Sequence, residues 1–243
     1  MTYTDYKYPK HHVAVDCIVF GYKNNALKIL LSHRRFEPDK DKWSLMGGWL
    51  KETETVEEAA KRVVFQISGL QDIYLEQVHV FSDPKRDTGG RVVSIAFYAM
   101  IRIDKHDKNL VEKYGAKWWN FNNKPALVFD HNLMVEHAHE KLKLKANYEL
   151  IGRNLLPGKF TILQLRKLYE AIFQKQIEPA NFRKKILSLK AIERLEYKNT
   201  TDSKKGAYYY RFKEPENNDI NNRIIKPEFK LSPNIQESKE YQK

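Results

Sequence analysis

The chain has 243 residues, a net charge of +12 and 42% hydrophobic residues. This length fits one large domain or two modest ones. No apolar run approaches the roughly 20 residues that a membrane-spanning helix needs, and the polar N-terminus has no signal-peptide segment. One cysteine, Cys17, excludes an internal disulfide and argues against a structural zinc site. We therefore expect a cytoplasmic protein with no membrane partner.

Two runs rich in β-branched and apolar residues predict strands near the N-terminus, at residues 13–20 and 27–32. Asp16 interrupts the first of them, and this carboxylate needs a partner or a ligand because burying it alone is costly. A polar loop then leads to a short apolar run at residues 43–46, after which Gly47–Gly48 predicts a turn.

A helix is predicted to begin at Thr55 and to end at Gly69. Thr55 and Glu58 have the spacing of a capping box, and Gly69 stands where a left-handed C-terminal cap belongs. Between them, apolar residues at helical spacing predict one broad buried face: Val56, Ala59, Ala60, Val63, Val64 and Ile67.

The segment from Gly48 to Leu70 resembles the Nudix box, the loop-helix-loop motif of pyrophosphohydrolases. Its residues in register with that motif are Gly48, Glu54, Arg62, Val64, Gly69 and Leu70. At the three carboxylate positions that hold divalent cations in the family, usually Mg²⁺, the chain has Val63, Gln66 and Ile67. Because Mg²⁺ demands hard oxygen ligands, we interpret the box as a retained scaffold with no catalytic residue, metal site or cofactor.

Further strands are predicted at residues 78–82, 92–101 and 117–121, and a helix at residues 129–150 with Asp130 or Asn132 as its cap. Residues 83–90 have turn chemistry throughout. This alternation predicts an N-terminal α/β/α sandwich with a mixed sheet.

Positive charge is concentrated near the C-terminus, where residues 159–213 hold 14 Lys and Arg against 5 Asp and Glu. Thr161 is predicted to cap an amphipathic helix, and Pro179 suits the first turn of the next one. Two strands, at residues 192–197 and 207–212, flank a polar tip. This pattern fits a winged helix-turn-helix that contacts DNA through its second helix and its wing: Asn181, Arg183, Lys184, Lys185, Ser188, Lys204 and Lys205.

The chain as a whole resembles the Nudix-related transcriptional regulators, the NrtR-like family. The resemblance lies in the box and in four later segments, at residues 81–98, 127–132, 160–173 and 181–187. It implies a homodimer that binds a double-stranded operator and a small-molecule effector. In the wider family the effector is ADP-ribose or a related nucleotide. One branch responds to L-arabinose, and we expect this chain to belong to that branch, as a repressor of sugar-utilisation genes.

Polar and aromatic residues on the predicted cavity side of the first domain are candidates for effector contact. A carboxylate beside a cationic donor suits sugar hydroxyls, a Trp face suits a sugar ring, and an Arg pair equally suits phosphate. The candidates are Asp16, Arg34, Arg35, Asp41, Lys42, Trp43 and Asp83.

The predicted fold class is α+β, with a Nudix-like domain at residues 1–152, a winged helix-turn-helix at 153–214 and a disordered tail at 215–243. Three alternatives stay open: an active Nudix pyrophosphohydrolase with metal ligands elsewhere, a regulator that responds to ADP-ribose or another nucleotide, and an RNA-binding module.

Overall fold

The computed structural model describes residues 10–105, 111, 113–153, 155–200 and 206–213. Its elements follow in the order β1 (His12–Lys23), β2 (Ala26–His33), β3 (Trp43–Ser44), β4 (Met46–Trp49), α1 (Val56–Ser68), β5 (Glu76–Phe81), β6 (Val92–Arg102), β7 (Ala116–Asn120), α2 (His131–Tyr148), β8 (Phe160–Thr161), α3 (Ile162–Phe173), α4 (Pro179–Ser188), β9 (Ile192–Asn199) and β10 (Ala207–Phe212).

The N-terminal part is built on a seven-stranded sheet with the order β3-β2-β1-β6-β5, in which β4 also pairs with β1 and β7 with β2. Helix α1 packs on this sheet through the apolar face that its spacing predicts. Ala59, Ala60, Val63 and Val64 are buried there with residues of β1, β2 and β6. The mixed sheet with helices confirms the predicted fold class.

Both ends of α1 have the predicted caps. The Thr55 hydroxyl accepts from the Glu58 N–H, the Glu58 carboxylate accepts from the Thr55 N–H, and Gly69 has φ 71° in the left-handed region. Cys17 is fully buried in the core behind this helix, and burial raises the pKa of its thiol. It is therefore a packing residue of the core.

The predicted turn at Gly47–Gly48 is wrong, because both residues lie within β4. Gly47 pairs with Asp16 and Gly48 with Val15, antiparallel to β1. A Cβ at Gly47 would collide with the Asp16 carboxylate, and a Cβ at Gly48 would lie 2.7 Å from Val63 Cγ2. Because they have no side chain, Gly47 and Gly48 let the side chains of Asp16 and Val63 lie close to β4, and they do not reverse the chain.

The C-terminal part is a winged helix, as predicted. Strands β8, β10 and β9 form a three-stranded sheet in that order, and α3 and α4 pack together through Tyr169 and Phe182. Thr161 caps α3 and forms a capping box with Gln164, while Pro179 occupies the first turn of α4. Phe182 and Ile186 are buried on the inner face of α4, while Leu189 is half-buried just beyond the helix.

By internal contacts the chain divides into two compact units. The first comprises residues 1–21 and 28–139, and the second comprises residues 22–27 and 140–243. The predicted domain limits at residues 152 and 214 stay a prediction. The predicted disordered tail at 215–243 lies outside the described residues. Within the described chain, no helix combines the length and the apolar character required to cross a membrane.

Candidate effector cavity and DNA-binding surface

The loop of the box is held by an ion pair between Arg62 and Glu54. Arg62 Nε donates to Glu54 Oε2 at 2.8 Å, and Nη2 donates both to Glu54 and to the carbonyl of Trp49. The Lys51 N–H also donates to Glu54. The hydrogen bonds from Arg62 lower the pKa of Glu54 to about 2. This carboxylate is therefore committed to shaping the loop.

The three residues at the family's carboxylate positions do not fit a magnesium ion. Val63 is buried in the core, Ile67 is half-buried, and only the exposed Gln66 offers an oxygen, which is neutral and accepts from Arg62. Of the acids nearby, Glu54 and Glu58 are held in the loop and the cap. Within the described residues, no cluster of three or more His, Cys, Asp or Glu side chains is arranged to hold a metal.

A cavity of about 300 Å³ opens beside the box. Its walls come from β1, the end of β2, β4, the last turns of α1, the loop after β5 and the residues at the start of α2. The side chains that line it include Asp16, Arg34, Arg35, Phe36, Gln66, Ile67, Arg86, Phe129 and His131.

Arg34 lies between two aromatic rings at this cavity. Its Cζ is 4.4 Å from the centroid of the Phe36 ring and 4.9 Å from that of Phe129, and its Nε donates to the carbonyl of Pro38 at 2.5 Å. The neighbouring Arg35 donates to the carbonyl of Tyr114. The guanidinium group of Arg34 lies beside the exposed ring of Phe36, and Arg35 lines the same cavity. Such a site suits a ligand that has both an anionic group and a planar group.

The floor of the cavity is a network of buried polar groups around Asp16. Ser94 Oγ donates to Asp16 Oδ2 at 2.6 Å, and Arg86 Nη2 lies 3.6 Å from the same oxygen. Arg86 also makes a bidentate pair with Asp130, with Nε to Oδ2 at 2.9 Å and Nη2 to Oδ1 at 2.8 Å. Asp16 thus has the partners that its burial requires.

His131 completes this network in a single tautomer. The backbone N–H of Leu45 donates to His131 Nδ1 at 3.2 Å, so the ring proton lies on Nε2, which is 3.6 Å from Asp16 Oδ1. Burial lowers the pKa of His131. The imidazole is therefore neutral near pH 7 and presents a donor to the Asp16 side of the cavity.

The structure brings together three of the seven residues predicted to contact an effector: Asp16, Arg34 and Arg35 line the cavity. The other four lie outside its lining. Lys42 pairs with Asp39 at 2.6 Å, and the Asp41 carbonyl oxygen lies 2.7 Å from His33 Nδ1. Trp43 packs against the rings of His33 and Trp119.

Asp83, the last of these four, has an indirect relation to the cavity. Its carboxylate accepts from the Lys85 N–H at 2.7 Å, and its carbonyl accepts from the Arg86 N–H at 3.2 Å. Asp83 therefore shapes the turn that delivers Arg86 to the cavity, although it is itself exposed.

Sequence reasoning missed Arg86, Phe129 and His131, because they lie in a turn and at a helix start. The one signal that pointed to Arg86 was the need of Asp16 for a cationic or hydrogen-bonding partner. No local pattern identifies that partner, since Asp16 and Arg86 are far apart in the chain.

Helix α4 presents most of the predicted DNA-contacting residues to solvent. Asn181, Arg183, Lys184 and Ser188 are exposed, whereas Lys185 is half-buried. The Glu178 carboxylate caps the helix by accepting from the N–H groups of Ala180 and Asn181, and these bonds lower its pKa. The predicted wing contacts Lys204 and Lys205 lie outside the described residues.

The wing strands carry further cations next to aromatic rings. Arg194 Cζ and Lys198 Nζ lie 4.6 and 4.7 Å from the ring centroid of Tyr208. Of the three wing tyrosines, Tyr210 is buried, while Tyr208 and Tyr209 are half-buried.

Comparison with known proteins agrees with this architecture. The family model of the NUDIX domain matches residues 10–132, and that of the NrtR DNA-binding winged helix domain matches residues 152–212. The chain is 28% identical over 209 residues to the ADPR responsive transcriptional repressor NtrR of Acinetobacter baylyi. This match covers 84% of this chain and 83% of that protein. It is 37% identical over 124 residues to the ADP-ribose pyrophosphatase of Methanocaldococcus jannaschii, covering 51% of this chain and 70% of that enzyme.

Among solved structures, the crystal structure of Shewanella oneidensis NrtR complexed with a 27mer DNA has a TM-score of 0.71 at 27% identity. The similarity covers 83% of this chain and 93% of that one. A Nudix fold followed by a winged helix thus defines the class of protein. The chain belongs to the Nudix family, as a regulator of the NrtR type with a DNA-binding winged helix.

Proposed function

We propose that this chain is a transcriptional repressor whose Nudix domain binds an effector of the ADP-ribose class and thereby lowers the affinity of the winged helix for its operator. The observation that carries the effector assignment is the set of three arginines, Arg34, Arg35 and Arg86, around one cavity. A diphosphate offers oxygen acceptors for such cations. The relative from A. baylyi is itself named an ADPR responsive repressor.

L-Arabinose, which the sequence analysis favoured, is the second candidate. A neutral pentose hydrogen-bonds through hydroxyl groups and has no charge to match the guanidinium groups of Arg34 and Arg35, which among the described residues donate to backbone carbonyls and not to carboxylates. Asp16 is the residue that suits a sugar, but Ser94 and Arg86 already occupy its carboxylate. The arginines therefore favour the anionic ligand.

We further propose that the Nudix domain binds its ligand without hydrolysing it. Val63, Gln66 and Ile67 offer one neutral oxygen where the family needs carboxylates, and Mg²⁺ requires hard anionic or water ligands. An active pyrophosphohydrolase is the rival function, favoured by the similarity to the M. jannaschii enzyme. Such an enzyme would need metal ligands at other positions.

Thermal unfolding with separate additions of ADP-ribose and L-arabinose tests the effector. A ligand at 100 times its Kd stabilises the folded state by about 2.7 kcal/mol, so we expect ADP-ribose, and not the pentose, to raise the midpoint by several degrees. A midpoint raised by L-arabinose and not by ADP-ribose would identify the pentose as the effector.

Incubation of ADP-ribose with the protein and Mg²⁺ or Mn²⁺ tests the absence of hydrolysis. We expect the ligand to be recovered intact after hours. Release of AMP at enzymatic rates, abolished by EDTA, would contradict a purely binding role.

The DNA-binding part of the proposal places α4 in the major groove. Asn181 and Arg183 lie in the first half of this helix and are exposed, and these residue types pair with adenine and guanine edges. A homodimer would present two such helices to half-sites about one helical turn apart. Band-shift titration of promoter fragments, with and without ADP-ribose, measures both the binding and its release. Operator affinity that stays unchanged at saturating ADP-ribose and L-arabinose would contradict the proposed coupling.

A further inference from the structure

Arg86 is the link between the cavity and the start of helix α2. It lines the cavity, whereas Asp130, which receives both of its short hydrogen bonds, does not. The Arg86 side chain is only 3% exposed. A bidentate arginine–carboxylate pair fixes distance and orientation together, so the position of Asp130 depends on the position of this guanidinium.

The N–H groups on Nη1 of the same guanidinium remain available to a ligand. Arginine has five N–H donors, and Arg86 uses Nε and Nη2 for Asp130 and Asp16. Among the described residues, none accepts a hydrogen bond from its Nη1. Arg86 lines the cavity, and an oxygen of a ligand bound there is a suitable acceptor for these remaining donors.

The residues that flank Asp130 are also part of the cavity wall. Phe129 and His131 both line it, and Phe129 has φ 51°, a left-handed conformation that is costly for a bulky side chain and persists only when its surroundings impose it. The Asp130 carbonyl accepts from the Met134 N–H at 3.1 Å in the first turn of α2. Residues of this helix from 140 onward are assigned to the second compact unit.

We propose that the Arg86–Asp130 pair couples effector binding to DNA affinity, an inference that rests on the proposed function. An effector oxygen bound to Arg86 Nη1 draws the guanidinium toward the cavity and weakens its hold on Asp130. The first turn of α2, with Phe129 before it, then takes a different position. A ligand shifts an equilibrium only through contacts that differ between two states. Arg86 makes this difference. Its guanidinium is shared among the effector, Asp130 and Asp16 in one state, and it contacts only the two carboxylates in the other.

Asp130→Asn is the variant that separates coupling from binding. It removes the charge and one of the two acceptors that Arg86 uses, but it lies outside the cavity lining. Asp104→Asn is the matched control, because Asp104 accepts a similar bidentate pair from Arg102 on the surface, at 2.8 and 2.7 Å. Three quantities are measured for each protein: the Kd for ADP-ribose, the Kd for operator DNA, and the ratio of operator Kd values with and without ADP-ribose.

In the wild type and in D104N we expect saturating ADP-ribose to raise the operator Kd about 5- to 150-fold, the usual range of allosteric coupling. In D130N we expect that factor to fall below about threefold while ADP-ribose still binds. Full coupling in D130N would overturn the role of the pair. Absence of coupling in the wild type would instead contradict the proposed function, so the two failures are distinct.

Hydrogen exchange of the unaltered protein gives a second test that no folding defect can obscure. Adding ADP-ribose should change the exchange of amides in the first turn of α2, next to Asp130. Exchange there that is identical with and without bound ligand would overturn the inference.

Discussion

At the scale of single residues, contacts between side chains that are far apart in the sequence determine the charge and hydrogen bonding of the cavity. Asp16 could be recognised from the sequence as a buried carboxylate in need of a partner, and the structure provides Ser94, Arg86 and His131. Which residues fill that need could not be predicted, because Ser94 is 78 positions from Asp16 and sequence proximity carries no signal. The contact exists only once the sheet has formed.

Glu54→Gln should show a pH-dependent effect on stability. The pKa of Glu54 is lowered to about 2 by Arg62, so the ionised carboxylate stabilises the folded state above its ordinary pKa, near 4.5, and this contribution is lost as the pH falls toward 2. We therefore expect E54Q to lower the unfolding midpoint at pH 7 and the difference from wild type to shrink below pH 4.5.

Thermal unfolding at several pH values measures this difference, with Glu57→Gln as a control at a nearby exposed acid in helix α1. A gap between E54Q and wild type that is constant from pH 7 to pH 3 would show that the ion pair does not stabilise the loop.

At the scale of secondary-structure elements, local signals predicted the helices well. Thr55 with Glu58, and Thr161 as a cap, are short-range patterns, and both caps are present. Gly47–Gly48 was misassigned to a turn because glycine has two uses that one sequence cannot separate: reversing the chain, or allowing another backbone or side chain to approach. Here the side chain of Asp16 lies against Gly47 and that of Val63 lies against Gly48.

Thr161→Ala should destabilise the winged helix. The Thr161 hydroxyl accepts from the Gln164 N–H at 3.2 Å, and loss of such a cap costs about 1 kcal/mol. Urea unfolding followed by circular dichroism measures the change, and Thr200→Ala, at an exposed threonine beyond β9, is the control. Equal stability of T161A and wild type would mean that packing alone defines the start of α3.

Arg183→Ala should weaken operator binding by about 1–3 kcal/mol, roughly 5- to 150-fold, if its guanidinium contacts a base edge. Lys61→Ala removes an exposed cation from α1 and should leave the operator Kd unchanged. Titration on operator and on unrelated DNA distinguishes two roles for Arg183. A loss confined to the operator indicates base recognition, and an equal loss on both sequences indicates phosphate contact only.

At the scale of the whole molecule, charge is divided between the two functions. Residues 159–213 carry nine of the twelve net positive charges, and this concentration is visible in the sequence alone as a signal of DNA binding. The effector cavity gave no such signal. Its three arginines come from the end of β2 and from the loop after β5, and only the fold brings them together.

Operator binding should therefore depend steeply on salt. Each phosphate neutralised contributes about −0.9 to the slope of log K against log salt concentration. Lys184→Ala should make the slope less steep by about this amount for each α4 bound, and binding in a series of salt concentrations measures it. An unchanged slope would place Lys184 away from the phosphate backbone.

The ion pair between Arg62 and Glu54 also matters for the interpretation of genomes. The residues that make the Nudix box recognisable in this sequence include this pair, which shapes a loop, whereas Val63, Gln66 and Ile67 lie on helix α1. On the proposal that this domain binds its ligand without hydrolysing it, a motif score dominated by the loop-forming residues counts sensors among hydrolases. Inspection of the positions equivalent to Val63, Gln66 and Ile67 would then sort the two groups.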